Sequence, residues 1–289
     1  MRLRRLLAPC AVLVIGIGLH PRGAAVATPQ TPFNKQKISF RSSGLALAGY
    51  VFKPDGAGPF PTLIWNHGSE QNPSGGPQFD SVAAIFVPAG YAVVAPVRRG
   101  QGDSQGDYIQ DRIQTEYSGS GPAAAERLMV QLMESEQLDD QLAGLAFAKT
   151  LPFVDTTRLV VAGCSYGGIQ TLLAAERGAG FKAAMAISPA ALSWNGHVVL
   201  QDRLREAVRR ILIPVLLIQP PEDASLEPAR VLGAEARRAG KTSFTAKVYP
   251  ASIPANQRGH CFGGAKGMHN WASDALEFFG RALAPRPGH

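Results

Sequence analysis

Short apolar runs alternate with helix-forming stretches along most of this 289-residue chain. The runs are bounded by turn residues and rich in Val, Ile and Leu, which is typical of strands buried on both faces of a sheet. The alternation predicts a mostly parallel sheet with helices on both faces, an α/β fold. The predicted strands are 37–54 (two strands with a turn at Ser43-Gly44), 61–68, a run starting at 91, 157–163, 182–188, 213–219 and 241–250; the predicted helices are 81–90, 121–150, 166–178, 199–212, 227–240 and 270–283.

The first 27 residues have the three parts of a secretory signal peptide. Three arginines stand among the first five residues, an apolar run follows from 6 to 19, and Ala-Val-Ala occupies 25–27. The run is shorter than the roughly 20 residues of a spanning helix, so cleavage after Ala27 is favoured over an uncleaved membrane anchor. We therefore expect an exported protein, periplasmic or secreted, without stable membrane insertion after processing.

No linker rich in Pro, Gly or Ser divides the rest of the chain, so residues 28–289 are predicted to form one domain. A candidate small cap lies around 189–210, beginning in the stretch SPAALSWNGH. Trp194 in that stretch and Phe262 downstream are candidates for a pocket wall, although core packing explains both as readily.

The charge balance gives no sign of a nucleic-acid partner. The formal net charge is +7, but residues 1–27 carry four arginines and no acid, which leaves 25 basic and 22 acidic residues, or +3. No Lys/Arg run lies beside interleaved aromatic residues. No Cys/His cluster has zinc spacing, and no metal or organic cofactor is expected.

A Gly-x-Ser-x-Gly pentapeptide centred on Ser165 joins a predicted strand to a predicted helix. A serine at such a sharp turn exposes its hydroxyl above the carboxyl ends of the strands, with free amides of the helix N-terminus behind it. The alternative is a structural helix cap, but the complete strand, turn and helix favour a nucleophile.

The chain resembles the α/β-hydrolase superfamily, and most closely its dienelactone-hydrolase-like and prolyl-oligopeptidase-like serine hydrolases. The matching segments are NHGS (66–69), VRRGQGDSQGDY (97–108), the stretch 138–168, IPVLLIQPPED (213–223) and RGHCFGG (258–264). The resemblance implies the α/β-hydrolase fold and a Ser, acid, His order along the chain. True dienelactone hydrolases have cysteine at the centre of the turn; here the centre is Ser165, and Cys164 stands beside it.

The resemblance assigns the general base to His260, in a Gly-rich loop after the last strand, with His269 in reserve. It assigns the acid to Asp223, in the loop after the strand 213–219, with Glu222 as the alternative. A surface histidine and a solvated loop acid are the alternatives to these roles.

The oxyanion hole of such enzymes needs two fixed N–H donors. Tyr166, directly after the nucleophile, is expected to supply one, and Ser69 the other, with Glu70 as second choice; His67 is interpreted as structural. Arg98 or Arg99 could contact substrate, but we favour a brace for the loop through Asp103 or Asp107.

If Ser165 and His260 meet, their neighbours Cys164 and Cys261 also come close together. We expect a disulfide between them, which an oxidising compartment permits; two free cysteines are the alternative. Cysteines at these two places also resemble the pattern of tannases and some feruloyl esterases.

The sequence therefore predicts a serine hydrolase acting on a small-molecule carboxylic ester. A peptidase acting on short peptides and a non-catalytic binding module with the same fold are the alternatives. The sequence does not predict the oligomeric state.

Overall fold

The computed structural model describes residues 33–73 and 78–285. The predicted signal peptide lies outside the described residues. Within the described ranges, no helix has the length and apolar character needed to cross a membrane.

One sheet runs through the described part of the chain and carries eight strands in the order β1-β2-β4-β3-β5-β6-β7-β8. β1 and β2 form an antiparallel hairpin at one edge, β2 is antiparallel to β4, and all later neighbours are parallel. The mostly parallel sheet that was predicted is confirmed. The strands are β1 (Asn34–Ser42), β2 (Leu45–Lys53), β3 (Phe60–Asn66), β4 (Ala92–Pro96), β5 (Val154–Cys164), β6 (Phe181–Ile187), β7 (Val215–Gln219) and β8 (Phe244–Val248).

Helices cover both faces of this sheet, because each central strand buries alternate side chains on opposite sides. In β3, Trp65 packs with α1 and α9, whereas Ile64 packs with the cluster of α3 to α7 on the other face. The helices are α1 (Gln78–Phe86), α2 (Ile109–Ser120), α3 (Pro122–Glu134), α4 (Glu136–Ala148), α5 (Tyr166–Arg177), α6 (Val198–Arg210), α7 (Glu227–Arg238), the four-residue turn α8 (His260–Gly263) and α9 (His269–Leu283).

The region after β4 differs from the sequence prediction. The single helix predicted over 121–150 is wrong: it is two helices, α3 and α4, which meet at Ser135, where the backbone leaves the helical region (φ −109°, ψ −100°). The helix α2 before them was not predicted, because it buries only Ile109 and so has no apolar face to detect.

The stretch 189–210, in which a small cap was predicted, contains a turn and the crossover helix α6 between β6 and β7. Leu200 and Leu204 of α6 are buried in the same core cluster as Trp194. The helix itself therefore packs on the side of the sheet, and it starts at the edge where the parallel strands end.

Candidate active site

Ser165 stands in a strained turn between β5 and α5. Its backbone lies at φ 59° and ψ −119°, outside the regions that an L residue ordinarily occupies. The chain can turn here only because glycines flank it: a Cβ on Gly167 would lie 2.0 Å from the carbonyl oxygen of Asn66. A backbone hydrogen bond of 2.9 Å from Ser165 to Ile187 ties the turn to the end of β6.

The side chains of Ser165, His260 and Asp223 meet at the carboxyl end of the parallel strands. The Nε2 atom of His260 lies 2.9 Å from Oγ of Ser165, and its Nδ1 atom lies 2.7 Å from Oδ1 of Asp223. A carboxylate only accepts hydrogen bonds, so Nδ1 carries the proton that is donated to Asp223. Nε2 is then the acceptor for the Ser165 hydroxyl, which is the tautomer that a general base requires.

Asp223 also accepts hydrogen bonds from groups other than His260. Its side chain is 0% exposed, and it accepts hydrogen bonds from Nε2 of Gln219 at 3.0 Å and from the backbone amide of Ala224 at 2.9 Å. Burial opposes the charge, but the hydrogen bonds from His260, Ser188 and Gln219 outweigh it and hold the pKa of Asp223 below its usual value.

Glu222, the alternative acid, points elsewhere. Its side chain is 59% exposed and pairs with Arg258 at 3.3 Å. His269, the alternative general base, lies exposed at the start of α9. Of the acids and bases considered from the sequence, the structure brings Asp223 and His260 to Ser165.

Cys164 and Cys261 form a disulfide across 97 residues of sequence, with their Cα atoms 6.2 Å apart. The bridge joins the end of β5 to the loop that carries His260. Cys261 and Phe262 both adopt left-handed backbone conformations, with φ of 52° and 59°. Phe262 is fully buried and packs edge-to-face on Tyr249, 5.0 Å between ring centres, so it anchors this loop in the core rather than lining a pocket.

The loop after β3 is fixed by two donors to its carbonyl groups. Nη2 of Arg98 donates to the carbonyl oxygen of Gly68 at 2.5 Å, and the hydroxyl of Tyr108 donates to that of Ser69 at 2.5 Å. In a trans peptide the C=O and N–H groups point in opposite directions. By holding the Gly68 carbonyl, Arg98 therefore fixes the direction in which the amide of Ser69 points.

Arg98 is itself buried and contacts both Tyr166 and His67, an arrangement that the sequence did not reveal. Its guanidinium lies 4.6 Å from the ring centre of Tyr166, and its backbone amide donates to Nε2 of His67 at 3.2 Å. Burial lowers the pKa of Arg98 and raises that of the Tyr166 phenol. Burial, followed by the charge of Arg98, lowers the pKa of His67 well below its usual value, so this histidine is neutral and structural.

Arg99 does brace the neighbouring loop, but the predicted partners Asp103 and Asp107 are wrong. Its guanidinium and backbone amide bind the fully buried carboxylate of Asp140 on α4, at 2.7 to 2.9 Å. Asp103 instead pairs with Lys37 at the surface. Arg99 also pairs with Glu136 at 3.0 Å. These two partners are 41 and 37 residues away in sequence, and no local pattern points to them.

Comparisons with known proteins agree with this architecture. The sequence profile of the prolyl oligopeptidase family matches residues 77–198, which is less than half of the chain. A quorum-quenching protein, AidA of Acinetobacter baumannii, is 25% identical over 206 residues, and that match covers 65% of this chain and 58% of the relative. The chain thus spans less than two thirds of that curated relative.

Solved structures with the same fold include an esterase and a peptidase. The esterase Pf2001 of Pyrococcus furiosus superimposes with a TM-score of 0.66 at 17% identity, covering 91% of this chain and 99% of the esterase. The acylaminoacyl peptidase of Pyrococcus horikoshii gives 0.64 at 19% identity, covering 89% of this chain and 43% of the peptidase. The partial match to the prolyl oligopeptidase family supports a serine hydrolase, and the solved neighbours show the fold. The chain therefore has the α/β-hydrolase fold.

Proposed function

We propose that this protein is an exported serine hydrolase that cleaves a small-molecule carboxylic ester through an acyl-enzyme. The observation that carries the proposal is the position of one imidazole: His260 contacts Oγ of Ser165 at 2.9 Å and Asp223 at 2.7 Å. Ser165 and His260 are 95 positions apart in the sequence, and Asp223 and His260 are 37 apart. Their contacts support the proposal, because nucleophilic catalysis needs a base that contacts both the nucleophile and an orienting acid.

In the first half of the reaction, Oγ of Ser165 attacks the ester carbonyl carbon while Nε2 of His260 takes the hydroxyl proton. Asp223 stabilises the imidazolium and keeps its ring oriented. The tetrahedral intermediate collapses when the bond to the alcohol oxygen breaks, and His260 returns the proton to the departing alcohol. The acyl group stays on Ser165.

In the second half, water attacks the acyl carbon and gives its proton to His260. The bond from the acyl carbon to Oγ then breaks, the carboxylic acid leaves, and His260 reprotonates Ser165. In both halves the oxyanion binds the amides of Tyr166 and Ser69. Tyr166 is the first residue of α5, where backbone amides lack partners within the helix, and Arg98 holds the peptide that carries the Ser69 amide.

Export is supported by two features. The N-terminal sequence has the form of a signal peptide, and the Cys164–Cys261 disulfide is of a kind that persists mainly outside the reducing cytosol.

The test is a substrate panel of p-nitrophenyl esters, feruloyl esters and aminoacyl amides, run on the wild type and on Ser165→Ala. We expect ester hydrolysis that Ser165→Ala loses, with amides cleaved far more slowly. Amide cleavage at rates that rival ester cleavage would identify a peptidase. Equal hydrolysis rates from both proteins would contradict the role of Ser165, and no hydrolysis of any substrate by either protein would favour a non-catalytic binding module.

A further inference from the structure

Ser188 follows β6 directly and lies between the acid and base segments of the candidate site. It is 0% exposed, and its backbone amide donates to the carbonyl oxygen of Ile218 in β7 at 2.8 Å. Its φ of 49° is left-handed, a conformation that costs a serine free energy and a glycine almost none. A strained, buried residue at a site suggests that its side chain serves a purpose.

The hydroxyl of Ser188 has a partner on each side. Its Oγ accepts the backbone N–H of Cys261 at 3.2 Å, and the hydroxyl lies close enough to the Asp223 carboxylate to lower the pKa of that acid. Because the amide of Cys261 can only donate, it leaves the proton of the hydroxyl free to be donated to the Asp223 carboxylate, which can only accept. The hydroxyl thus connects the acid to the residue directly after His260.

We propose that Ser188 is a positioning residue for the reaction, holding Asp223 and the His260 loop at a fixed distance through its hydroxyl. This inference rests on the proposed function. In this role Ser188 acts through the acid and through the backbone of the base loop.

The contacts of Ser188 add to two other interactions that hold the candidate site, the disulfide and the hydrogen bond from Gln219. The disulfide fixes the side chain of Cys261, whereas Ser188 fixes its backbone amide, so the loop is held at two points one residue from the imidazole. Gln219 holds Asp223 from the β7 side, at Oδ2. Ser188 differs from Gln219 because it also accepts a backbone N–H from the loop that carries His260.

The hydroxyl also stabilises the ionised form of Asp223. Its hydrogen bond is one of those that lower the pKa of Asp223 against the effect of burial. Without the hydroxyl, the carboxylate keeps its burial but loses a stabilising donor, so its pKa rises. As the pH falls, a variant without the hydroxyl should therefore lose activity at a higher pH than the wild type does.

The experiment compares Ser188→Ala and Ser188→Gly with the wild type in full pH profiles of kcat and KM on p-nitrophenyl acetate. Glycine adopts the left-handed backbone without strain, so Ser188→Gly separates loss of the hydroxyl from a folding defect. Ser43→Ala and Ser43→Gly are matched controls, since Ser43 has a similar φ of 47° but lies exposed in the β1–β2 turn.

We expect both Ser188 variants to lose kcat by about 10- to 100-fold, since small displacements of catalytic groups cost rates of this order. KM should change little, the acid limb of the kcat profile should move to higher pH, and the Ser43 controls should match the wild type. An active wild type with unchanged Ser188 variants, or a fall in kcat with no movement of the acid limb, would overturn this inference alone. A wild type no more active than Ser165→Ala would overturn the proposed function and this inference with it.

Discussion

Cys164 and Cys261 are bonded to each other, and each is the chain neighbour of one of the two residues that meet in the candidate site, Ser165 and His260. The bridge therefore links the turn that carries Ser165 to the loop that carries His260. A covalent link of this kind restricts how far the imidazole can move from the hydroxyl, which matters because the proposed reaction depends on their contact.

Removing the disulfide should reduce both stability and activity. In the chain-entropy model, a bridge closing a loop of this length contributes up to about 4 to 5 kcal/mol to the free energy of unfolding. We expect Cys164→Ala/Cys261→Ala to unfold at lower urea concentration and to lose kcat more than KM. A thiol assay in denaturant should find two more thiols after reduction than before, and an equal count would show that the bridge is absent in solution.

Breaking the Arg99–Asp140 pair should destabilise the fold strongly. The Asp140 side chain is 0% exposed, and Asp140→Asn would leave the largely buried guanidinium of Arg99 with the part-exposed Glu136 as its remaining charge partner, at a cost of up to about 3 to 5 kcal/mol. The matched control is Asp103→Asn, which removes a surface pair with Lys37 and should change little. Similar unfolding midpoints for the two variants would contradict the bracing role of Asp140.

A methyl group at Gly167 should prevent the turn that carries Ser165 from packing against the end of β3. The added Cβ would lie 2.0 Å from the carbonyl oxygen of Asn66, and main chain cannot move aside cheaply. We expect Gly167→Ala to lose soluble, folded protein, as judged by circular dichroism and thermal unfolding. At Gly119 in α2, where a Cβ meets nothing within 4 Å, alanine should be neutral or stabilise by up to about 1 kcal/mol. A folded Gly167→Ala would show that the turn is looser than described.

The buried His67 should make the fold sensitive to mild acid. Burial lowers its pKa in the folded state, so below about pH 6.5 the unfolded chain binds a proton that the folded chain does not. The free energy of unfolding then falls as the pH drops, by at most about 1.4 kcal/mol per pH unit from this group, until the folded pKa is reached. When the free energy of unfolding is measured with urea between pH 7.5 and 5, it should depend less on pH in His67→Gln than in the wild type.

The exposed His269 offers the control for that measurement. His269→Gln should follow the pH dependence of the wild type, because its side chain lies at the surface. If His67→Gln and the wild type have the same slope, another group is responsible for the acid sensitivity.

The sequence predicts the parts of this structure that depend on local pattern. Apolar runs locate the central strands, and the glycines around Ser165 identify the turn, because only a tight strand-to-helix turn needs them there. With the superfamily's residue order, His260 and Asp223 follow from their places after predicted strands.

What the sequence does not predict depends on distant contacts. The helix α2 has almost no buried face, and the break at Ser135 has neither glycine nor proline to mark it. The partners of Arg99 and Ser188 lie 41 and 73 residues away, so no spacing rule connects them. A serine such as Ser188 carries no signal of its own until its neighbours are known.

The most direct test of the catalytic assignment is covalent labelling with a fluorophosphonate probe, read by intact mass and peptide mapping. The probe reacts with a serine only where a base activates its hydroxyl. We predict one adduct on Ser165 in the wild type, none in Ser165→Ala, and a greatly slowed adduct in His260→Ala, each variant showing the wild-type circular dichroism spectrum. An unlabelled wild type, or an adduct that persists in Ser165→Ala, would contradict the assignment.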